Sequence, residues 1–128
     1  MKGEYIMPWN FNDNTPIYQQ IMEHIKLSIA VGEYNAGDKL MAVRELAAEA
    51  EVNPNTMQKA LSELEREGLL HSQRTSGRFI TEDKERIASL RSSLAREHID
   101  WYINKMKQLG FTAEEAVEQL KKHIKEEA

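Results

Sequence analysis

The stretch VNPNTMQKALSELEREGLL, Val52–Leu70, decides the fold. It opens on a polar tip without acids, Asn53-Pro54-Asn55-Thr56, and keeps Glu63, Glu65 and Glu67 for its far end. Asn53 is a good N-cap, and Pro54 falls at the first helical position, where its missing N–H costs nothing. Met57, Ala60, Leu61 and Leu64 recur at helical spacing as the buried stripe, and Gly68 ends the helix. A helix start is the positive end of the macrodipole and favours acids. A tip that lacks them either awaits negative charge from another molecule or is an ordinary capped surface.

On the N-terminal side, Ile17, Ile21, Ile25 and Ile29 form a second helical stripe, with Thr15-Pro16 as its start and Gly32 as its stop. The turn-rich connector EYNAGDKL follows, and a short helix fits Val43 to Glu49 with Leu46 and Ala47 facing inward. On the C-terminal side, LLHSQRTSGRFIT alternates loosely around a polar turn, as a β-hairpin does. Three helices and a hairpin make a winged helix-turn-helix.

Beyond Asp83 the pattern changes. A long helix over roughly Lys84–Leu109 carries Ile87, Leu90, Leu94, Ile99, Tyr102, Ile103 and Met106, and Gly110 stops it. Thr112-x-x-Glu115 is a capping box that opens another helix, whose apolar face is Ala116, Val117, Leu120 and Ile124. Amphipathic helices of this kind need a partner surface. The expected fold class is mainly α with a small β-hairpin: an N-terminal winged helix-turn-helix followed by a two-helix C-terminal dimerisation tail. The expected organisation is an N-terminal arm over 1–15, the winged helix over 16–82 and the tail over 83–128. The dimerisation residues are Ile87, Leu90, Leu94, Trp101, Ile103 and Leu120.

Composition narrows the function classes. The chain has 128 residues, 41% of them apolar, which suits one ordinary domain or a small domain with an appendage. No run approaches the roughly 20 apolar residues of a membrane span, and Met1 to Met7 hold no apolar signal core. There are no cysteines, so disulfides and thiolate metal sites are excluded and a cytoplasmic setting is expected. The net charge of −4 runs against the basic footprint usual for a DNA binder. Phosphate contact, however, depends on local placement of charge.

The outward face at the front of the Val52–Leu70 helix is Asn55, Thr56, Gln58 and Lys59: short hydrogen-bonding side chains and one cation, the types that meet phosphates and base edges. In a helix-turn-helix the N-terminal end of the second helix enters the major groove. The hairpin tip adds Gln73, Arg74, Ser76, Gly77 and Arg78, with two cations around a turn glycine that could follow a phosphate strand. The other reading of these elements is a winged helix used as a protein-interaction module without specific DNA binding. No catalytic set converges. His24, His71, His98 and His123 are scattered without metal spacing, and the six glycines form no phosphate loop, so no enzyme activity, cofactor or metal is expected.

PIYQQIMEHIKLSIAVGEYNAGDKL, RELAAEAEVNPNTMQKALSELEREGLL and GRFI together resemble the GntR family of bacterial transcription regulators. The short helical tail is similar to the YtrA-like subfamily, in which two C-terminal helices serve dimerisation. The resemblance implies a homodimeric repressor on a double-stranded, inverted-repeat DNA operator, and it leaves a small-molecule effector open. The family's DNA contacts fall on Arg44, on Asn53, Asn55, Thr56 and Gln58 with Lys59 adjacent, and in the wing on Arg74 and Gly77; Ser76 and Arg78 flank them. Two positions depart from the pattern. Ala42 stands where a serine would cap the second helix, and Thr75 stands where the wing has its first glycine.

Overall fold

The structure is a computed structural model that describes residues 8–127; the part of the expected arm before residue 8 lies outside them. The element order is α1 (Ile17–Ala30), α2 (Val43–Ala50), α3 (Pro54–Arg66), β1 (Leu70–Gln73), β2 (Gly77–Ile80), α4 (Lys84–Gln108) and α5 (Ala113–Glu127). The chain forms two compact units that divide between Arg91 and Ser92, inside α4.

In the first unit the isoleucine stripe of α1 and the Met57–Leu64 stripe of α3 face each other. Ile21, Ile25, Ile29, Met57, Leu61 and Leu64 are all buried, and α2 closes the core with Leu46, Ala47 and Ala50. Burying each such aliphatic side chain stabilises by about 1.5–3 kcal/mol. Residues 8–15 dock onto this core. Trp9 stacks on His24 with ring centroids 3.7 Å apart, and its Nε1 donates to Glu49 Oε1 at 3.4 Å. The Gln20 amide clasps the same segment: its Nε2 donates to the carbonyls of Asn12 and Thr15, and its Oε1 accepts from the Asn12 N–H.

The caps follow the sequence. Asn53 Oδ1 accepts the Asn55 N–H at 2.7 Å, with Pro54 at the first helical position. Ala42 gives α2 no side-chain cap, and only Glu45 Oε1 reaches back to the Ala42 N–H, at 3.3 Å. The α2–α3 turn passes through Glu51 in the left-handed conformation, φ 58° and ψ 48°.

The hairpin pairs Leu70 with Ile80, His71 with Phe79, Ser72 with Arg78 and Gln73 with Gly77. The connector before α2 adds a short third line to this sheet, which its turn-rich composition hid. Lys39 bridges Phe79, the Leu40 N–H donates to the Arg78 carbonyl at 2.9 Å, and the Ile80 N–H donates to the Asp38 carbonyl at 2.8 Å. Asp83 Oδ1 then caps α4 through the Arg86 N–H at 3.1 Å. Ile87 and Leu90, expected in the dimerisation tail, are half-buried against the winged-helix core.

In the second unit, Gly110 turns the chain with φ 95°, and the Thr112–Glu115 capping box closes reciprocally. The Tyr102 hydroxyl donates to the Ala116 carbonyl at 2.6 Å, fastening α4 to α5 around the buried Ala116. Leu94 and Ile103 are half-buried. Trp101 is 64% exposed and Leu120 44%, and Ile99, Leu109, Val117 and Ile124 are exposed with them.

Candidate nucleic-acid interface

The cap places the front of α3 at the surface. Asn53, Asn55 and Gln58 are exposed and Thr56 is half-buried, and the first turn of the helix holds no acid. Asn53 spends its Oδ1 on the cap. Lys59 is exposed but leans back toward α1, its Nζ 4.1 Å from the centre of the Tyr18 ring, an attraction typical of a cation over an aromatic face. Tyr18 therefore holds a cation that the sequence placed simply beside the expected base-contacting positions.

The acids at the back of α3 and at its C-cap are each paired with a cation. Glu63 pairs with Arg66, Glu67 with Lys26 and Glu65 with Arg78. By contrast, Arg44 at the start of α2, Lys39 beside the wing and Arg74 at its tip enter no ion pair among the described residues, and all three are exposed. The net negative charge thus coexists with these three exposed cations around the wing and the start of α2, where Glu45 also lines the surface. Lys39 was not singled out from the sequence, because its place next to the wing comes from a backbone bridge between distant segments.

Arg74, Thr75 and Ser76 form the wing turn, with the Ser76 N–H donating to the Gln73 carbonyl at 3.1 Å. Gly77 closes it at φ 107°, a conformation that L side chains rarely adopt, and a Cβ there would lie 3.4 Å from Lys39 Cε. The wing and the start of α2 border one groove of about 610 Å³, lined by Lys39, Met41, Ala42, Ser76 and Gly77 among others.

Arg78 is not a free wing cation. Side chains alternate across a strand, and in this register Ser72 and Arg78 form a cross-strand pair that converges on α3. Arg78 Nε donates to Glu65 Oε1 at 2.6 Å, the Ser72 hydroxyl donates to Glu65 Oε2 at 2.9 Å, and Arg78 Nη1 donates to Gln58 Oε1 at 3.4 Å. Partial burial alone would push the Glu65 carboxyl up. The hydrogen bonds from Arg78 and Ser72, with the positive charges of Arg78 and His71, outweigh burial and hold it below its ordinary value. Unlike Arg74, Arg78 thus carries a charge that is paired within the protein.

Comparison with known proteins decides the family. Residues 17–80 match the model of the bacterial regulatory proteins of the gntR family. The chain belongs to the GntR family. It is 41% identical over 111 residues to the uncharacterised HTH-type transcriptional regulator YhcF of Bacillus subtilis, covering 87% of this chain and 92% of YhcF. It is 47% identical over 70 residues to the transcriptional repressor YtrA of the same organism, covering 55% of this chain and 54% of YtrA. A GntR family transcriptional regulator from Listeria monocytogenes superposes with a TM-score of 0.82 at 43% identity, over 88% of this chain and 98% of that one. The DNA-binding domain of AraR in complex with operator ORX1 superposes with a TM-score of 0.53 at 28% identity, over 56% of this chain and 93% of that one. GntR proteins are transcription regulators rather than enzymes, and this chain is a GntR-type winged-helix regulator. None of its described helices is long and apolar enough to cross a membrane.

Proposed function

We propose that this GntR regulator is a cytoplasmic repressor that binds an inverted-repeat operator as a homodimer. The observation that carries the reading is the asymmetry of α3: its front turn is acid-free and exposed, while Glu63, Glu65 and Glu67 behind it are each paired to a cation. Asn55, Thr56 and Gln58 would face base edges in the major groove, with Asn53 holding the tip in shape. Arg44, Arg74 and Lys39 would lie on phosphates, and the Ser76-Gly77 turn would let the wing approach the duplex closely. Repression would follow from occlusion of polymerase. The likeness to the operator-bound AraR domain supports this docking.

The second unit supplies the dimer in this account. Trp101, Leu120 and the exposed Ile99, Val117 and Ile124 leave apolar surface in water that a second copy would cover. A two-fold pair of recognition helices then matches two half-sites about one helical turn apart, roughly 34–36 Å. Selection of bound sequences from a random DNA pool tests function and symmetry together. The account expects enrichment of a palindrome; enrichment of isolated half-sites removes the dimer, and no enrichment removes specific DNA binding.

A further inference from the structure

Glu65 belongs to the recognition helix, while Ser72 and Arg78 belong to opposite strands of the wing. One carboxylate therefore ties both strands to α3, through contacts of 2.9 and 2.6 Å. The guanidinium is the side chain suited to such a junction, because its planar fork can hold a carboxylate with one N–H and a second acceptor with another. Its second acceptor here is Gln58 Oε1, at 3.4 Å, and Gln58 Nε2 in turn donates to Ser62 Oγ at 3.2 Å. Only 16% of the Arg78 side chain and 28% of the Glu65 side chain remain exposed, so both lie largely shielded at the wing–helix junction.

We propose that Glu65 and Arg78 are positioning residues that lock the Gln58 amide for base readout, so that sequence preference at one operator position depends on the wing. The proposal rests on the reading that α3 faces bases. A surface glutamine on a helix samples several rotamers, whereas here both ends of the amide are held. Each end keeps one further hydrogen-bonding capacity: a lone pair on Oε1 and a hydrogen on Nε2. An acceptor beside a donor matches the N6 amino group and N7 of adenine in the major groove. Gln58 is accordingly the reader of one adenine per half-site, and Arg78 is the brace behind it. If the neutral Glu65–Arg78 pair acts only as a brace, its loss should leave the salt dependence of binding unchanged.

The test measures affinity for the selected operator and for the same operator with that adenine pair replaced. It compares the intact protein with Gln58→Ala, Arg78→Lys and the double variant. Lysine keeps the charge but cannot brace two acceptors with a planar fork. The intact protein should prefer the adenine operator on the order of tenfold. Gln58→Ala and Arg78→Lys should each lose most of that preference at the same position, and the double variant should lose no more than either. Full discrimination by Arg78→Lys, additive losses, or a loss at a different base position would overturn the proposal. Glu65→Gln combined with Arg78→Gln removes both charges and preserves net charge. It should relax the same position with an unchanged salt slope. A slope reduced by roughly 0.9 would mark Arg78 as a phosphate contact and overturn the proposal. If the intact protein enriches no sequence, the DNA reading itself falls and takes this inference with it. If it enriches an operator that Arg78→Lys still reads in full, only the brace falls.

Discussion

Where the winged helix ends along the chain has a measurable consequence. Ile87 and Leu90 lie beyond Asp83, yet both are half-buried against the α1–α3 core, and Arg86 Nη1 donates to the Glu67 carbonyl at 3.2 Å. A chain stopped after Asp83 loses all three contacts and the hydrogen bond that caps α4. A chain stopped after Arg91 keeps them. Two half-buried aliphatic side chains contribute together about 1.5–3 kcal/mol, taking half the value for full burial. Against a total stability of about 5–15 kcal/mol, that is a large share. At roughly 4–8 °C per kcal/mol for a unit of this size, the shorter chain should melt about 6–24 °C below the longer one. Circular dichroism melts and urea titrations of the two chains provide the assay. Light scattering should find both monomeric, since neither carries the second unit. Equal melting temperatures would refute the packing argument for Ile87 and Leu90. A dimer in either chain would remove the second unit as the dimerising element.

Three further outcomes are expected. Gly77→Val should weaken operator binding while leaving the helical circular dichroism spectrum intact, because φ 107° is strained for any residue with a Cβ; normal binding would make the wing turn dispensable. Glu51→Gly should raise stability by about 1 kcal/mol by relieving the left-handed turn between α2 and α3, and a fall in the urea midpoint would contradict that. The Glu65 carboxyl is depressed below its ordinary 4.5 in the folded state, so its contribution is complete above that value and is lost as pH falls through the lower folded one. Melting temperature below pH 4.5 should therefore fall more steeply in the intact protein than in Glu65→Gln, and parallel curves would show that the carboxylate adds nothing.

Most of the fold was legible because its signals are local. The isoleucine spacing of α1, the Asn53-Pro54 start of α3 and the Thr112–Glu115 box are each written within one continuous segment, so each can be recognised without knowing which distant residues it meets. What escaped was non-local. Glu65 and Arg78 are 13 positions apart on different elements, and nothing in either neighbourhood marks them as partners. Lys39 reaches the wing only because the connector pairs with β2, and Lys59 turns from the front of α3 only because Tyr18 lies on the helix packed behind it. Ile87 and Leu90 fit the amphipathic pattern of α4 well. The pattern could not say which of two surfaces they would cover.

The front of α3 as a reader of operator DNA is tested most directly by salt-dependent affinities of the full chain for its selected operator and for a scrambled duplex. Asn55→Ala, Gln58→Ala and Arg74→Ala are compared with the intact protein. The account predicts that Asn55→Ala and Gln58→Ala each cost about 1–3 kcal/mol on the operator and almost nothing on scrambled DNA. Arg74→Ala should weaken both duplexes alike and lower the salt slope by roughly 0.9. Unchanged affinities in all three variants, or equal losses on both duplexes for Asn55→Ala and Gln58→Ala, would contradict it.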